Sequence, residues 1–467
     1  MASAPQTHET ASWGELFSGE RLPRYALICV GTWLTAADTL VTATIMPSVA
    51  HDIGGYAWFG WTVAGYLLGS ILAGATAGRL SIRFGLRAAL ALGGAAYALG
   101  CVVSALSPGI VLFLMGRVLQ GVGGGWIAGL GYVAVTRLFP ERLWPRALSG
   151  LSGIWGGATL ISPLVGGLFA QAGFWRGAFW MFAAQGGLYM VAVALLIAPG
   201  AARDEAGPPA SPLAQVTVLA AGIIAIALAG LTHTATQAAV LGALGLVILG
   251  LFLRMDSRAK ASLLPRSTVN PFSVIGSGLA MVFCMGAATV SYTVYGPALY
   301  QVLYGASPVT AGYILGFEAF AWTASALWVA TRRNPDLFIR LGASLITLGV
   351  IALALISPKG GIVPVTLCGV TLGAGFGLSW SFTASRLAAV AGDAERALAS
   401  SSVPTMQMIG TAAGAAAAGA VANLLGFGQG ITLARAQAGG FWLFAGFAPL
   451  AVLGCIAAWR LTAKRAG

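Results

Sequence analysis

Apolar residues in this chain come in long runs, separated by short polar or basic breaks. The first six runs lie near 24–49, 57–79, 86–107, 109–137, 146–170 and 175–199. A polar stretch from Ala201 to Pro212, holding Arg203, Asp204, Glu205 and three prolines, then interrupts the series. Two tighter runs follow at about 213–232 and 236–254. After a basic connection, six more stand near 272–300, 308–331, 336–356, 361–385, 397–424 and 438–461. A helix rises about 1.5 Å per residue, so about 20 apolar residues cross a hydrocarbon core of about 30 Å. The pattern predicts an all-α membrane protein with fourteen transmembrane helices in the order six, two, six. The expected divisions are a tail (1–23), a first six-helix half (24–199), an inserted pair (213–254) and a second six-helix half (272–461).

Composition agrees: 58% of the 467 residues are hydrophobic and only 8% charged, too few charges to cover a soluble surface of this size. The 66 glycines suit membrane helices that approach backbone to backbone. A net charge of +12 would suggest nucleic acid in a soluble protein, but its distribution gives another account. With the N-terminus taken as cytoplasmic, the basic residues fall on the inner side except Arg176, Lys359 and Arg435 outside, and Arg117 within a span. This is the positive-inside bias, and it places both termini in the cytoplasm of a cell whose plasma (inner) membrane holds the protein. No nucleic-acid partner is expected. The segment Met1–Gly19 is polar and lacks a signal-peptide core, so it reads as a cytoplasmic tail. Cys29, Cys101, Cys284, Cys368 and Cys455 are scattered singly through apolar runs and read as small buried residues rather than disulfides or metal ligands.

The two outer sets of six carry an internal repeat. Ala64-Gly65-Tyr66-Leu67-Leu68-Gly69 opens the second run of the first set, and Ala311-Gly312-Tyr313-Ile314-Leu315-Gly316 opens the second run of the last. Arg146-Ala147-Leu148 matches Arg396-Ala397-Leu398, and Gly123 and Gly125 match Gly373 and Gly375, both at an offset of 250. Paired halves in one chain are an architecture for alternating access, with a site near the midplane between them.

Charge inside the apolar runs is rare, and three residues carry it: Asp38, Arg117 and Glu318. A carboxylate at the bilayer centre costs roughly 2.5–3.5 kcal/mol even on lenient scales, so such groups face a polar cavity, pair with a cation or take up protons. A permanent Asp38 salt bridge, or a Glu318 held protonated by a neighbour, are the plainer alternatives.

Local motifs give these residues a context. Gly78-Arg79-Leu80-Ser81-Ile82-Arg83-Phe84-Gly85-Leu86-Arg87 resembles the cytoplasmic loop motif of the major facilitator superfamily, with Ile82 where that family usually has Asp. In it Gly78 and Gly85 would allow a tight turn, while Arg83 and Arg87 would hold the inner face. Arg117-Val118-Leu119-Gln120-Gly121 is similar to the Arg-x-x-Gln-Gly motif of proton-coupled members. Asp38 and Pro47 keep the separation found in the first span of the fourteen-helix drug:proton antiporter branch. Ser162-Pro163-Leu164-Val165-Gly166-Gly167 resembles that branch's antiporter signature, with Pro163, Gly166 and Gly167 kept and Ser162 in place of a glycine. Trp175-Arg176-Gly177-Ala178-Phe179 also follows the family pattern.

The resemblance implies a proton-coupled secondary transporter that exports small amphipathic organic compounds, a multidrug-type efflux protein working by alternating access. Asp38, Glu318 and Arg117 would couple protons. Candidate substrate contacts are Trp33, Gln120, Trp155, Tyr292, Tyr295, Trp322, Trp380 and Gln407, with Gln185 beside them. Aromatic faces and amides of this kind suit planar or cationic compounds. The partners expected are protons, the organic substrate and membrane lipid, with a monomer as the working unit. No enzyme activity, metal or cofactor is expected, and the proton gradient supplies the drive: the lysines Lys260, Lys359 and Lys464 build no phosphate loop, and His8, His51 and His233 lack companions. Export of a specific lipid, siderophore or metabolite, or proton-linked uptake, stays open beside multidrug efflux. A receptor or scaffold without transport is the remote alternative.

Overall fold

The computed structural model describes residues 13–199, 212–232, 234–392 and 395–463. The first twelve residues of the tail, Arg203, Asp204 and Glu205 of the polar break, His233, Lys464 and Arg465 lie outside the described residues. Those described form helices joined by short connections, with no strand among them. A short α1 (Trp13–Leu16) precedes α2 (Arg21–Ile53), α3 (Phe59–Leu106), α4 (Ile110–Leu138), α5 (Trp144–Gln171) and α6 (Trp175–Leu196). The inserted pair is α7 (Leu213–Ala229) and α8 (Ala235–Arg258). Then come α9 (Val274–Tyr304), α10 (Pro308–Val329), α11 (Pro335–Ile356), α12 (Ile362–Val390), α13 (Arg396–Leu424), α14 (Leu433–Ala445) and α15 (Ala448–Ala463).

Local chemistry sets the ends of these helices. Ser273, Ser307 and Asn334 each accept a hydrogen bond from a backbone N–H three residues on, satisfying a donor that the first turn leaves unpaired. Pro308 and Pro335 follow two of these caps, where a missing N–H costs nothing. Two expected runs fuse in α3, whose 48 residues would reach about 72 Å if straight. Gly85 breaks it, with φ 77° and ψ 159°, a conformation that side chains with a Cβ avoid. The expected tight turn over Gly78–Arg87 is therefore corrected: Gly78 continues the helix, and Gly85 alone turns the chain.

By length and composition, ten helices among the described residues can cross a membrane, and fourteen crossings are not established on that measure. The ten include α3 with both its runs. The expected runs on α7, α10 and α13 are not among them. The helix α7 has only 17 residues. The helices α10 and α13 carry Glu318, Trp322, Gln407 and Thr411, and polar residues that face an interior lower a hydropathy average.

The repeat is visible in how the helices cross. A Cβ built at Gly121 would lie 2.0 Å from the Tyr66 carbonyl oxygen, and one at Gly125 2.3 Å from that of Ser70. In the second half, a Cβ at Gly373 would lie 1.9 Å from the Glu318 carbonyl oxygen, and one at Gly377 2.2 Å from that of Trp322. So α3 touches α4, and α10 touches α12, backbone to backbone. Gly123 packs on Tyr97 as Gly375 packs on Gly342 and Ile346. These contacts pair Gly121, Gly123 and Gly125 with Gly373, Gly375 and Gly377, two positions off the register that string matching gives. Alternating glycines let a sequence match slide by two without penalty. In the contact register Glu318 stands where the first half has Tyr66.

The halves meet most closely at the end that carries the α2–α3 loop. A Cβ at Gly60 of α3 would lie 2.3 Å from the Ala415 carbonyl oxygen of α13, and one at Gly167 of α5 2.5 Å from Cα of Val309. Tyr313 donates to the Leu160 carbonyl at 3.3 Å. At the same end the Asn423 side-chain amide donates to the carbonyls of Ala57 at 2.9 Å and Gly230 at 2.8 Å, tying α13 to the first half and to the inserted pair. Toward the other end, open space lies beside Gly78 of α3 and Gly153 of α5.

Candidate functional site

Helix α2 carries a polar stripe through an apolar sequence: Thr35, Asp38, Thr39 and Thr42, then Met46, recur every three or four residues and so share one face. Asp38 sits inside that stripe with no exposed surface, and Arg117 of α4 is 2% exposed. Arg117 Nη1 lies 3.0 Å from both Asp38 carboxylate oxygens. Gln120, one turn along α4, donates from Nε2 to Asp38 at 2.8 Å and accepts from Arg117 at 2.6 Å. Thr42 donates to the same carboxylate at 3.3 Å. The guanidinium lies 4.6 Å from the Tyr66 ring centroid, so an aromatic face covers what the carboxylate does not. Burying two charges is tolerated here because every oxygen of Asp38 is bonded. Arg117 Nε has no partner among the described residues.

A cavity of about 230 Å³ lies between the halves, in front of this cluster. From the first half, Thr39, Thr42, Met46, Thr62, Tyr66 and Arg117 reach it. From the second come Gly286, Thr289 and Thr293 of α9, Glu318 and Trp322 of α10, Phe376 of α12, and Gln407 and Thr411 of α13. Glu318 is partly exposed and makes no hydrogen bond or ion pair with another described residue. Trp322 stacks on Phe376 with centroids 4.7 Å apart and planes 9° apart, forming a flat aromatic wall near Glu318. One wall thus holds a neutralised charge pair, and the opposite wall holds a free carboxyl group beside aromatic rings.

The expected residues divide accordingly. Arg117, Glu318, Trp322 and Gln407 line the cavity. Asp38 lies one layer behind, joined to it through Arg117 and Thr42. Trp380 stands behind Trp322, edge-on at 5.7 Å. Six expected substrate contacts, Trp380 among them, are corrected: they are absent from the cavity lining. Gln120 is spent on Asp38 and Arg117. Tyr292 is fully buried and donates to the Ile314 carbonyl at 2.9 Å, clamping α9 to α10. Tyr295 is fully buried and stacks on Phe59 at 5.5 Å near the closed end. Trp33 donates to Gln185 of α6 at 3.3 Å, within the first half. Trp155 is 46% exposed on α5, apart from the cavity wall.

The motif glycines do a packing job. Gly166 lies against Val41 of α2, Gly167 against Val309 of α10, and Pro163 lies against Gly312. Together they let α5 slot between the halves. Arg83 sits over the Phe84 ring at 5.2 Å, and neither it nor Arg87 forms an ion pair among the described residues. His51 and Asp52 border a separate recess at the closed end, where Asp52 bonds Arg176 and the Trp175 indole. Among the described residues, no three His, Cys, Asp or Glu stand together as a metal site would need.

Tyr66 and the threonines Thr39, Thr42, Thr62, Thr289, Thr293 and Thr411 are wall residues that sequence reading missed. The signal was present for two helices: Thr39 and Thr42 follow Asp38 at helical spacing, and Thr289 and Thr293 are one turn apart.

Residues 28–415 match the family model described as the Major Facilitator Superfamily. A protein named "Probable multidrug-efflux transporter" from Mycobacterium tuberculosis (strain H37Rv) is 32% identical over 473 aligned residues, covering 97% of this chain and 97% of that protein. The tetracenomycin C resistance and export protein of Streptomyces glaucescens is 27% identical, over 63% of this chain and 55% of its own length. Among solved structures, a D-xylose–proton symporter superposes with a TM-score of 0.67 at 17% identity, covering 94% of this chain and 98% of the symporter. A peptide transporter in complex with sulfate gives a TM-score of 0.67 at 17% identity, with 95% and 96% covered.

Proposed function

This chain belongs to the Major Facilitator Superfamily, and we propose that it exports small amphipathic organic compounds in exchange for protons, by alternating access across the plasma membrane. The observation that carries the reading is the central cavity. It is walled by both halves, presents an unbonded carboxyl group beside an aromatic stack, and backs onto a buried Asp38–Arg117 pair. The likeness to proteins named for multidrug efflux and antibiotic export supports the substrate class and the direction.

In this scheme Glu318 exchanges a proton for substrate, and Asp38 sets what Arg117 can do. With Asp38 ionised, Arg117 is held away from Glu318. A proton reaching Asp38 would loosen that hold and free the guanidinium to balance the opposite carboxylate. The halves would then part at the end sealed by Gly60 and Ala415, and close beside Gly78 and Gly153. The gradient is the only drive required, since one charge moved across 100 mV gains roughly 2.3 kcal/mol. Both termini would lie in the cytoplasm, and no cofactor is called for.

Everted vesicles carrying the protein are expected to accumulate a lipophilic dye when energised, and to release it when a protonophore collapses the gradient. Glu318→Gln should fold normally and lose at least most of the gradient-driven uptake. Full proton-linked transport by the Asp38→Asn plus Glu318→Gln double variant would remove the coupling assignment.

A further inference from the structure

A second concavity lies far from the central cavity, on the outward side of α15 and α11. Val452, Ile456, Trp459 and Ala463 recur along one face of α15, and with Thr347 of α11 they wall an open groove of about 490 Å³. Val452 to Ala463 spans about 16 Å at helical rise, close to one leaflet of a hydrocarbon core about 30 Å thick. The long side of the groove is apolar. Its end is not.

Two arginines stand at that end. Arg460 lines the groove, with its guanidinium 5.1 Å from the Phe272 ring centroid. Arg340 lies 4.7 Å from the ring centroid of Trp459, a groove wall, and its Nε donates to Thr462 at 2.7 Å. Rings and one hydroxyl thus fix both guanidinium planes without neutralising them. No acidic residue lines the groove, and neither arginine forms an ion pair with a described residue. Other arginines show the contrast: Arg386 is paired with Asp336 at 2.5 Å and Arg117 with Asp38.

We infer that this groove binds an anionic phospholipid, one acyl chain lying along Val452, Ile456 and Trp459 and its phosphate meeting Arg460 and Arg340. A guanidinium oriented by stacking keeps its remaining N–H donors in a fork that fits phosphate oxygens. A basic end to an apolar cleft between membrane helices is the form such sites take. A zwitterionic lipid would supply the same chain but bring its own cation against the arginines. Simple interfacial anchoring by Trp459 and the arginines would show no preference between the two headgroups.

The test uses the full chain purified in mild detergent. Retained lipid is counted by native mass spectrometry, and thermal stability is followed during addition of phosphatidylglycerol, phosphatidylcholine with identical chains, or inorganic phosphate. Phosphatidylglycerol should be retained and raise the melting temperature, with little effect from the other two. Each arginine removed, as Arg460→Gln or Arg340→Gln, should weaken phosphatidylglycerol retention about fivefold, from roughly 1 kcal/mol per charge, while melting in phosphatidylcholine stays as in the parent. Arg460 makes no hydrogen bond to a described residue, so its variant keeps the test usable if Arg340→Gln folds poorly. Ile456→Trp, which fills the groove, should displace the lipid with both arginines intact. Equal retention of the two lipids, unchanged retention in Arg460→Gln, or an equal shift from inorganic phosphate would each overturn the inference.

Discussion

Arg117→Gln is expected to abolish transport and to destabilise the purified protein by about 3–5 kcal/mol, the cost of leaving a buried charge without its partner. Asp38 has no exposed surface, and three groups hold its carboxylate. Removing Arg117 takes away the only full positive charge among them. Asp38→Asn should be milder. Its amide still bonds Thr42 and Gln120, and the orphaned guanidinium lines a cavity that can admit water. The double variant should regain most of the lost stability, because no buried charge remains, yet should not transport. Melting curves of the four proteins in detergent, with vesicle uptake beside them, give the comparison. A single Arg117→Gln that melts like the parent would mean the pair is not buried in the working protein.

The second large effect separates two kinds of glycine contact. Gly121→Val should fail to fold, because the new Cβ falls 2.0 Å from the Tyr66 carbonyl oxygen, a backbone atom of the same half. Overpacking of a rigid crossing costs typically 1–3 kcal/mol and more when backbone must move. Gly60→Val meets a comparable obstacle, 2.3 Å from the Ala415 carbonyl oxygen, but that atom belongs to the opposite half. The clash can be relieved by parting the halves at that end. The expected result is a folded protein shifted toward the state open there. In a cysteine-free background, Thr62→Cys reports the shift, since Thr62 lines the cavity and is 1% exposed. An impermeant thiol reagent should label it faster with Gly60→Val present. Equal labelling would mean this contact does not gate access.

What sequence could and could not reveal follows from helix geometry. Placement inside a span is legible: the sequence puts Asp38 and Arg117 within apolar runs of different helices, and they meet. Direction around a helix is much less so, because these helices are apolar on nearly every face. On α9, Gly286, Thr289 and Thr293 share the cavity side, whereas Tyr295 lies roughly 200° away at about 100° per residue. Large aromatics drew attention as ligand contacts, but Tyr292 and Tyr295 fill the core, and small hydroxyl residues form the wall. The register of the repeat was blurred for a similar reason. A glycine at every second position matches itself after a shift of two, and only the Tyr66 and Glu318 contacts fix which pairing the fold uses. Pro47 of α2 and Pro297 of α9 mark corresponding helices and were an unused signal.

The amide of Asn423 has a mechanical side. It holds one carbonyl from the α2–α3 loop and one from the end of α7, and a Cβ at Gly230 would lie 2.7 Å from Cα of Ala420. When the first half swings away from α13, one of these bonds, worth about 0.5–1.5 kcal/mol, must break while the other can survive. The spliced hairpin therefore straddles the seam, leaning mainly on α13 of one lobe while α7 also touches α3 of the other. Excising it would strip a sheath from the very edge along which the two lobes slide.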